Sequence, residues 1–426
     1  MSPLIHQMRT YRSLDDLESL RPAWEKLLTE FSGATTFSTW EWLAPWWRAF
    51  GKGRELLVLA FFDESASLVG LAPLAISRRR VAPLLELRVL SLWGDGTQDS
   101  DNLDFPVRAG CEDAVAAALL DYLKKESRLW DFCEFNTMPP DSPVARCLAK
   151  RLGDRGWTAY DEQIVCLAIS LPETWEAYLG QLSSKERGKI AYYQNRLQRK
   201  YRMRLRKCER GADLRLCLEA LFNLHQKRWL SAGRPGSFAR TARRDFYCEM
   251  AHLLLNRGWL EFWLLELNGE PAAAQFGFRY GRTVFQLQEG FDPAYSADSV
   301  GFVLRAQVVR EFIAAGVRRY DFLAGEDSAK LRWAAQPGHY IGLQFAPPLT
   351  RGSLCLRLIH GAGKHKEKLR AYVPRNAWRA LHAAKQKFRG AGSASSLGSA
   401  AEAAPTNVKL AISKSFSRSD SAAEAK

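Results

Sequence analysis

The sequence predicts a mixed α+β fold of two related lobes, followed by a basic helical extension and a disordered tail. Three observations carry this reading. Helical and strand periodicities alternate along most of the chain. The order of segments then occurs twice: a helical section, a strand, a tight turn, a strand, a helix and a further strand. Finally, residues 60–76 (AFFDESASLVGLAPLAI) line up without a gap with 264–280 (LLELNGEPAAAQFGFRY) as hairpins. With 426 residues, 47% of them apolar, the chain has material for two cores at ~100–200 residues each, which excludes disorder over its whole length. The boundaries read as 1–165 for the first lobe, 166–350 for the second, 351–389 for the extension and 390–426 for the tail.

A strand is expected around Leu4 to Thr10. Ser13, followed by Asp15 and Asp16, is a capped start for a helix carrying Leu14, Leu17, Trp24, Leu27, Leu28 and Phe31 at helical spacing. A short helix follows with Leu43, Trp46, Trp47 and Phe50 on one face, and Gly51-Lys52-Gly53 breaks it. Strands over Glu55 to Phe62 and Ser67 to Ile76 meet at Asp63-Glu64. A helix over Asp113 to Glu126 and a strand over Trp130 to Asn136 close the lobe before Pro139, Pro140 and Pro143.

The second series opens with a strand at Cys166 to Leu171 and helices at Trp175 to Leu182, Lys185 to Tyr201, Leu214 to Leu230 and Thr241 to Asn256. Three strands come next, at Leu260 to Leu267, Ala272 to Tyr280 and Thr283 to Glu289. Asn268-Gly269 is the strongest two-residue hairpin signal. A helix from Gly301 to Ala315 stops at Gly316 and leads into a strand at Arg319 to Leu323. Beyond Gly390 the chain turns Ser/Ala-rich with little to bury, hence the disordered tail.

Composition narrows the function. No apolar stretch approaches the ~18–20 residues of a membrane span, and Met1 to Tyr11 lacks a signal-peptide core, so the expected location is cytoplasmic. Eight cysteines lie scattered without a C-x-x-C pair, which argues for reduced, buried thiols and no metal. The net charge of +15 is concentrated. Lys185 to Arg210 holds eleven cations against Glu186 and Glu209, and Arg357 to Arg389 holds ten against Glu367, leaving the remainder slightly acidic. Helical spacing gives the first segment an apolar stripe (Ile190, Tyr193, Leu197) and a cationic face. That face either stays in water or meets substrate phosphates or anionic lipid at the inner membrane face. No nucleic-acid motif accompanies the charge.

The segment from Gln288 to Trp333 (QEGFDPAYSADSVGFVLRAQVVREFIAAGVRRYDFLAGEDSAKLRW) reads as strand, loop, helix, glycine stop, strand, and a second loop with a lysine. A loop feeding a helix N-terminus suits a phosphate, with Gly301 allowing close backbone approach. The alternative reading is pure scaffold.

These residues (GFDPAY, Ser299, Gly301, Gly316, Tyr320-Asp321-Phe322-Leu323, Gly325, Lys330 and Trp333) resemble the C-terminal lobe of the GNAT-superfamily acetyltransferases grouped with the cellulose-biosynthesis protein CelD, relatives of the FemAB peptidyltransferases. FSTWEWLAPWWRAFG, SDNLDFPV, Pro139 to Pro143 and LHQKRWLSAGRPGSFA extend the resemblance over residues 20 to 345. It implies two tandem GNAT-like acyltransferase lobes and acetyl-CoA or another acyl-CoA as donor. The implied acceptor is a small-molecule or lipid-linked sugar precursor of the cell envelope. The loop from Ala294 to Gly301 lacks the several glycines of ordinary GNAT enzymes, and Ala329 stands where many relatives carry tyrosine. The alternatives are a FemAB-like transferase using aminoacyl-tRNA, and a non-catalytic subunit of a polysaccharide synthase.

On this resemblance Ser299, Val300, Gly301 and Phe302 are the candidate donor-binding residues. Asp321 is a candidate proton acceptor or, alternatively, an ion-pair partner of Arg318 or Arg319. Lys330 is a candidate for neutralising phosphate or developing oxyanion, and Glu289 is a second base candidate. His225, Arg228 and Trp229 share a helix face and, with Asp101 and Asp104 from the first lobe, are candidates for acceptor binding. The Trp40, Trp42, Trp46 and Trp47 cluster reads as core.

Overall fold

The computed structural model describes residues 5–82, 85–97, 99–325 and 327–372. The first series runs β1 (Gln7–Tyr11), α1 (Leu14–Glu18), α2 (Arg21–Glu30), α3 (Trp40–Phe50), β2 (Arg54–Phe62), β3 (Leu68–Ala82), β4 (Leu85–Leu92), α4 (Glu112–Lys125), β5 (Phe132–Met138), α5 (Pro143–Asp154) and β6 (Thr158–Ser170). The second opens with α6 (Trp175–Gln181), α7 (Ser184–Lys200), β7 (Met203–Lys207), α8 (Gly211–Ser231), α9 (Thr241–Asn256), β8 (Leu260–Leu267), β9 (Glu270–Tyr280) and β10 (Thr283–Phe291). It continues through α10 (Val300–Ala314), β11 (Arg319–Ala324), α11 (Ser328–Leu331) and β12 (Gln336–Ala346) to α12 (Arg351–Tyr372).

Local chemistry accounts for many of these boundaries. Ser13 accepts the Asp16 amide at 3.2 Å and caps α1, while Pro22 in the first turn of α2 divides what spacing alone reads as one helix. Thr174 and Ser183 cap α6 and α7 in the same way. Asn268 and Gly269 both take positive φ, 55° and 96°, as the two-residue β8–β9 turn requires.

All twelve strands form one sheet in the order β1-β2-β3-β4-β5-β12-β6-β11-β10-β9-β8-β7. Two pairs, β4–β5 and β10–β11, are parallel, and the other neighbours are antiparallel. The order is symmetric about its middle. Strand β6 follows β5 in the chain but pairs with β11, and β12 follows β11 but pairs with β5. Each lobe hands its last strand to the other, and the two exchanged strands pair with one another from Gln336↔Ala168 to Ala346↔Thr158. The boundary drawn between residues 165 and 166 therefore lies inside β6, whose first half was not expected as strand; β4, β7, β12 and α5 were not expected either.

The hydrophobic core crosses the lobe junction. Helices α3 and α9 bring Trp42 against Phe246 and Phe278, both at 5.2 Å between ring centres, and Phe37 reaches Phe285 at 5.6 Å. The α3 tryptophans are core, with Trp42 and Trp46 fully buried. A second core packs α6, α7 and α10 on the second lobe's strands and the exchanged β6 through Tyr178, Leu197, Val308 and Val309.

The helical extension is present as α12, while 373–389 and the tail at 390–426 lie outside the described residues. Its first turn sits directly on the sheet. A Cβ at Gly352 would fall 1.7 Å from the Asp131 carbonyl oxygen, Ser353 bonds Thr158 at 2.7 Å, and Arg351 pairs with Asp131 at 3.2 Å. Gly352→Ala is expected to destabilise the protein by ~1–3 kcal/mol through overpacking, and Gly361→Ala, which meets nothing within 4 Å, to be neutral or stabilising by ~0.5–1 kcal/mol. Thermal denaturation of both checks this; equal melting points would remove the docking contact.

Candidate active site

The parallel pair β10–β11 stays joined only from Thr283↔Arg319 to Phe285↔Asp321. Beyond it, β10 follows β9 through a bulge between Gln286 and Gln288, and β11 follows β6. The strands splay, and the β11-facing edge of residues 286–291 has no strand neighbour among the described residues. Such an edge can pair with an extended ligand.

At the splay β11 is kinked. Leu323 takes φ 62°, and the register with β6 jumps between Asp321 and Ala324. The amides of Leu323 and Ala324 leave the ladder and are met by two carboxylates: Leu323 donates to Asp321 Oδ1 at 2.8 Å, and Ala324 to Asp101 Oδ2 at 2.8 Å. The second oxygen of Asp321 accepts the Arg319 guanidinium at 2.9 and 3.1 Å. Asp321 is thus an ion-paired residue that holds the kink, which leaves its carboxylate engaged on both oxygens.

Asp101 comes from the first lobe and is in a different state. Burial, with Asp321 nearby, pushes its carboxyl up to about 7, against the Ala324 amide and Lys330, which favour the anion. Lys330 donates to the Phe322 carbonyl at 3.0 Å, and burial together with Arg305 lowers its ammonium below the usual lysine range. A carboxyl held near neutrality and a compact cation are therefore both bonded to the kinked end of β11, one from each lobe. Asn102 donates to the Tyr340 hydroxyl at 2.9 Å and fixes the Asp101 loop to β12.

Glu289 leaves β10 between two arginines. It accepts Arg228 at 3.0 Å and Arg305, and although burial disfavours its charge, the two guanidiniums hold its carboxyl below the ordinary range. Glu289 is the charge partner of these two arginines. Arg305 lies beneath the Trp333 and Phe322 rings at 5.6 and 5.2 Å, and Trp333 is itself packed on Phe302 at 4.6 Å. Sequence reasoning missed Arg305, although a lone arginine in the apolar run VGFVLRAQVV was its available signal.

At the start of α10, Ser299 has φ 52° and its carbonyl accepts the amides of Phe302 and Val303. The amides of Val300 and Gly301 remain at the open end of the helix, as an anion site requires. A Cβ at Gly301 would lie 3.5 Å from the Phe291 ring, an ordinary contact. Asp298 in this loop is held by Arg196 at 2.6 Å, Lys200 at 3.1 Å and the Tyr201 hydroxyl at 3.1 Å. Its charge is already balanced and does not oppose a phosphate. The splayed edge offers backbone pairing and the helix end offers amides without helical partners.

Of the remaining candidates, His225 packs on β10, where a Cβ at Gly290 would fall 2.5 Å from its backbone nitrogen. His225 is buried, its Nε2 accepts the Trp229 indole N–H at 2.9 Å, and burial with Arg228 and Arg243 lowers the ring to about 4, so it is neutral at pH 7. Asp104 accepts Ser142 at 2.7 Å and the Phe105 amide at 2.8 Å, which ties it to the cap of α5 and away from the splay. A third first-lobe carboxylate, Asp99, joins the lobes by accepting Tyr247 at 3.0 Å and pairing with Arg243 at 2.7 Å. Among the described residues no His/Cys/Asp/Glu cluster could hold a metal.

Residues 184–331 match a family model described as an acetyltransferase (GNAT) domain. The chain therefore carries a GNAT-type acetyltransferase domain over the second lobe's splay, the domain of an acyltransferase enzyme. No curated protein sequence matches it. Among solved structures it is similar to FemX, at TM-score 0.56 and 12% identity over 80% of this chain and 98% of that one. It is also similar to the C-terminal domain of a putative lysylphosphatidylglycerol synthetase from Agrobacterium fabrum, at TM-score 0.47 and 10% identity over 80% and 95%. A tandem GNAT protein from the clavulanic acid biosynthesis pathway gives TM-score 0.45 and 10% identity over 80% and 98%. The FemX likeness covers both lobes, and the architecture is that of two tandem GNAT-like lobes.

Burial raises the Asp104 carboxyl to about 7. A folded-state value above the unfolded one means stability present at low pH and lost as pH rises through about 7. Asp104→Asn keeps the acceptor oxygen but cannot ionise. It is expected to match the parent at pH 4 and to exceed it by ~1–3 kcal/mol at pH 8 in urea denaturation; a variant less stable at both values would contradict the burial argument.

Proposed function

We propose that this protein moves an acetyl or other acyl group from acyl-CoA to an amine or hydroxyl of a cell-envelope or exopolysaccharide precursor. The observation that carries the reading is that Asp101 of the first lobe and Lys330 of the second both bond the kinked end of β11 in a GNAT domain, at the Ala324 amide and the Phe322 carbonyl. The thioester supplies the activated acyl carbon. Asp101 Oδ accepts the proton of the acceptor N–H or O–H as its lone pair attacks. The Lys330 ammonium stabilises the negative charge that builds on the carbonyl oxygen. The acyl–sulfur bond then breaks, and the thiolate leaves with a proton from Lys330 or solvent. Asp321 keeps the Leu323–Ala324 kink, so the base moves from Asp321, where sequence alone put it, to Asp101. The acceptor class rests on the resemblance to the CelD group.

A second reading, an aminoacyl-tRNA donor, is favoured by one observation: α7, whose Arg196 and Lys200 reach the α10 loop, carries Lys185, Arg187, Lys189 and Arg199 as well. A thermal-shift panel of acetyl-CoA, longer acyl-CoAs, free CoA and charged tRNA separates the two. Donor at ~100 times its Kd adds ~2.7 kcal/mol, and tRNA binding would fall steeply with salt. A chain stabilised by neither donor would be the accessory subunit.

Asp101→Asn and Lys330→Ala are each expected to lower kcat on the order of 10²–10³ with donor KM little changed. In the parent, kcat should rise with pH through about 7 as Asp101 ionises, and this limb should vanish in Asp101→Asn. Steady-state kinetics across pH check both; parental turnover by either variant would end the assignment.

A further inference from the structure

Helix α12 has no place in the chemistry above, yet it is firmly mounted. Gly352, Ser353 and Leu356 face the sheet and are buried, and the His360 ring stacks on Tyr160 at 3.8 Å. The opposite side is apolar and exposed: Leu354 is 60%, Leu358 62% and Ile359 41% accessible. Leucines at positions i and i+4 on the outer face of a docked helix form a convex ridge.

The surroundings of this ridge are cationic. Arg351 donates to the Glu86 carbonyl at 2.6 Å, and Glu86 lies opposite Arg80 in the β3–β4 register. The hairpin tip therefore stands beside the start of α12, with Arg78, Arg80 and the 40% exposed Val81 in solvent. Between Arg351 and Tyr372 the sequence of α12 holds Arg351, Arg357, Lys364, Lys366, Lys368 and Arg370 against the single acid Glu367.

We propose that α12 and the β3–β4 hairpin tip form a docking surface for an anionic lipid bilayer. Leu354, Leu358 and Ile359 enter the boundary between headgroups and acyl chains, and the surrounding Arg78, Arg80, Arg351 and Arg357 meet lipid phosphates. The helix lies in the interface rather than across it; among the described residues no helix is long and apolar enough to cross a membrane. Nucleic acid would satisfy the charge and leave the leucine ridge in water. A protein groove would cover the ridge but has no need of a border this rich in arginine, where the exposed Glu86 is itself paired with Arg78 at 3.5 Å. A bilayer answers both. The inference concerns a surface apart from the splay and stands independently of the catalytic reading.

The test is co-sedimentation of the full chain with vesicles of phosphatidylcholine and phosphatidylglycerol in equal parts, against phosphatidylcholine alone. The parent should bind the anionic vesicles selectively and release in high salt. Leu354→Glu/Leu358→Glu should lose about tenfold or more of this affinity, and Arg78→Glu/Arg80→Glu should lose it with no apolar side chain touched. Leu216→Glu/Leu230→Glu, at sites 61% exposed in the second lobe, should bind like the parent. Circular dichroism and melting temperature show whether each variant folds. Failure of the parent to bind, unchanged binding by both first-lobe variants, or RNA retention without vesicle binding would overturn the proposal.

Discussion

The exchange of β6 and β12 is the constraint on which the rest of the molecule depends. Because each strand is hydrogen-bonded into the other lobe, the lobes share one sheet and cannot hinge apart without breaking the ladder between them. Strand pairing also fixes register to the residue, since a slip by one position would turn every side chain to the opposite face. This rigidity lets a first-lobe carboxylate, Asp101, be placed to hydrogen-bond distance on a second-lobe amide more than two hundred residues away in the chain. The α3–α9 packing and the Asp99–Arg243–Tyr247 contacts lock the same junction from the helical side.

Within that frame the two aspartates do opposite work. Asp321 is engaged by a guanidinium and an amide, so its charge is spent on geometry: it keeps a leucine in the left-handed region at a cost of roughly 1 kcal/mol. Asp101 receives a single amide and is otherwise desolvated, so its proton is held near neutrality. One carboxylate preserves the backbone kink and the other profits from it. The first lobe repeats the plan in part. Its own parallel pair also stays joined for three residues, from Val89↔Phe132 to Ser91↔Glu134, and Glu134, in the register position of Asp321, is paired with Arg79 and Gln344.

Much of this was legible from local pattern. The Asn268-Gly269 turn, the hairpins around it, the capped start of α1, and α10 with its glycine stop all follow from short-range chemistry, and the structure has them at those places. Strand β12 was not legible, because QPGHYIGLQFA opens with Pro337 and Gly338 and contains Gly342, which read as loop. The first half of β6 hid behind a polar alternation, and β7 behind the charge of its basic segment. Lys330 could be singled out from its loop and from the family resemblance. The convergence of Asp101 on the same kink could not, since no local signal joins residues on different lobes, and of the two sequence readings of Asp321 the structure has the ion pair, with Arg319.

Strand exchange also orders events in time. As the chain leaves the ribosome, residues 1–165 include every helix of the first lobe, but β5 has no neighbour on its far side until 336–346 arrive. Until that late stretch is made, a nascent first lobe presents a bare sheet edge. An orphaned edge is an invitation to pair with the wrong chain. The arginines at positions 78–80 of β3 and Glu134 in β5 are the kind of gatekeepers that discourage it. Translation that stalls before β12 would therefore release a chain with a nearly complete first core and an adhesive margin.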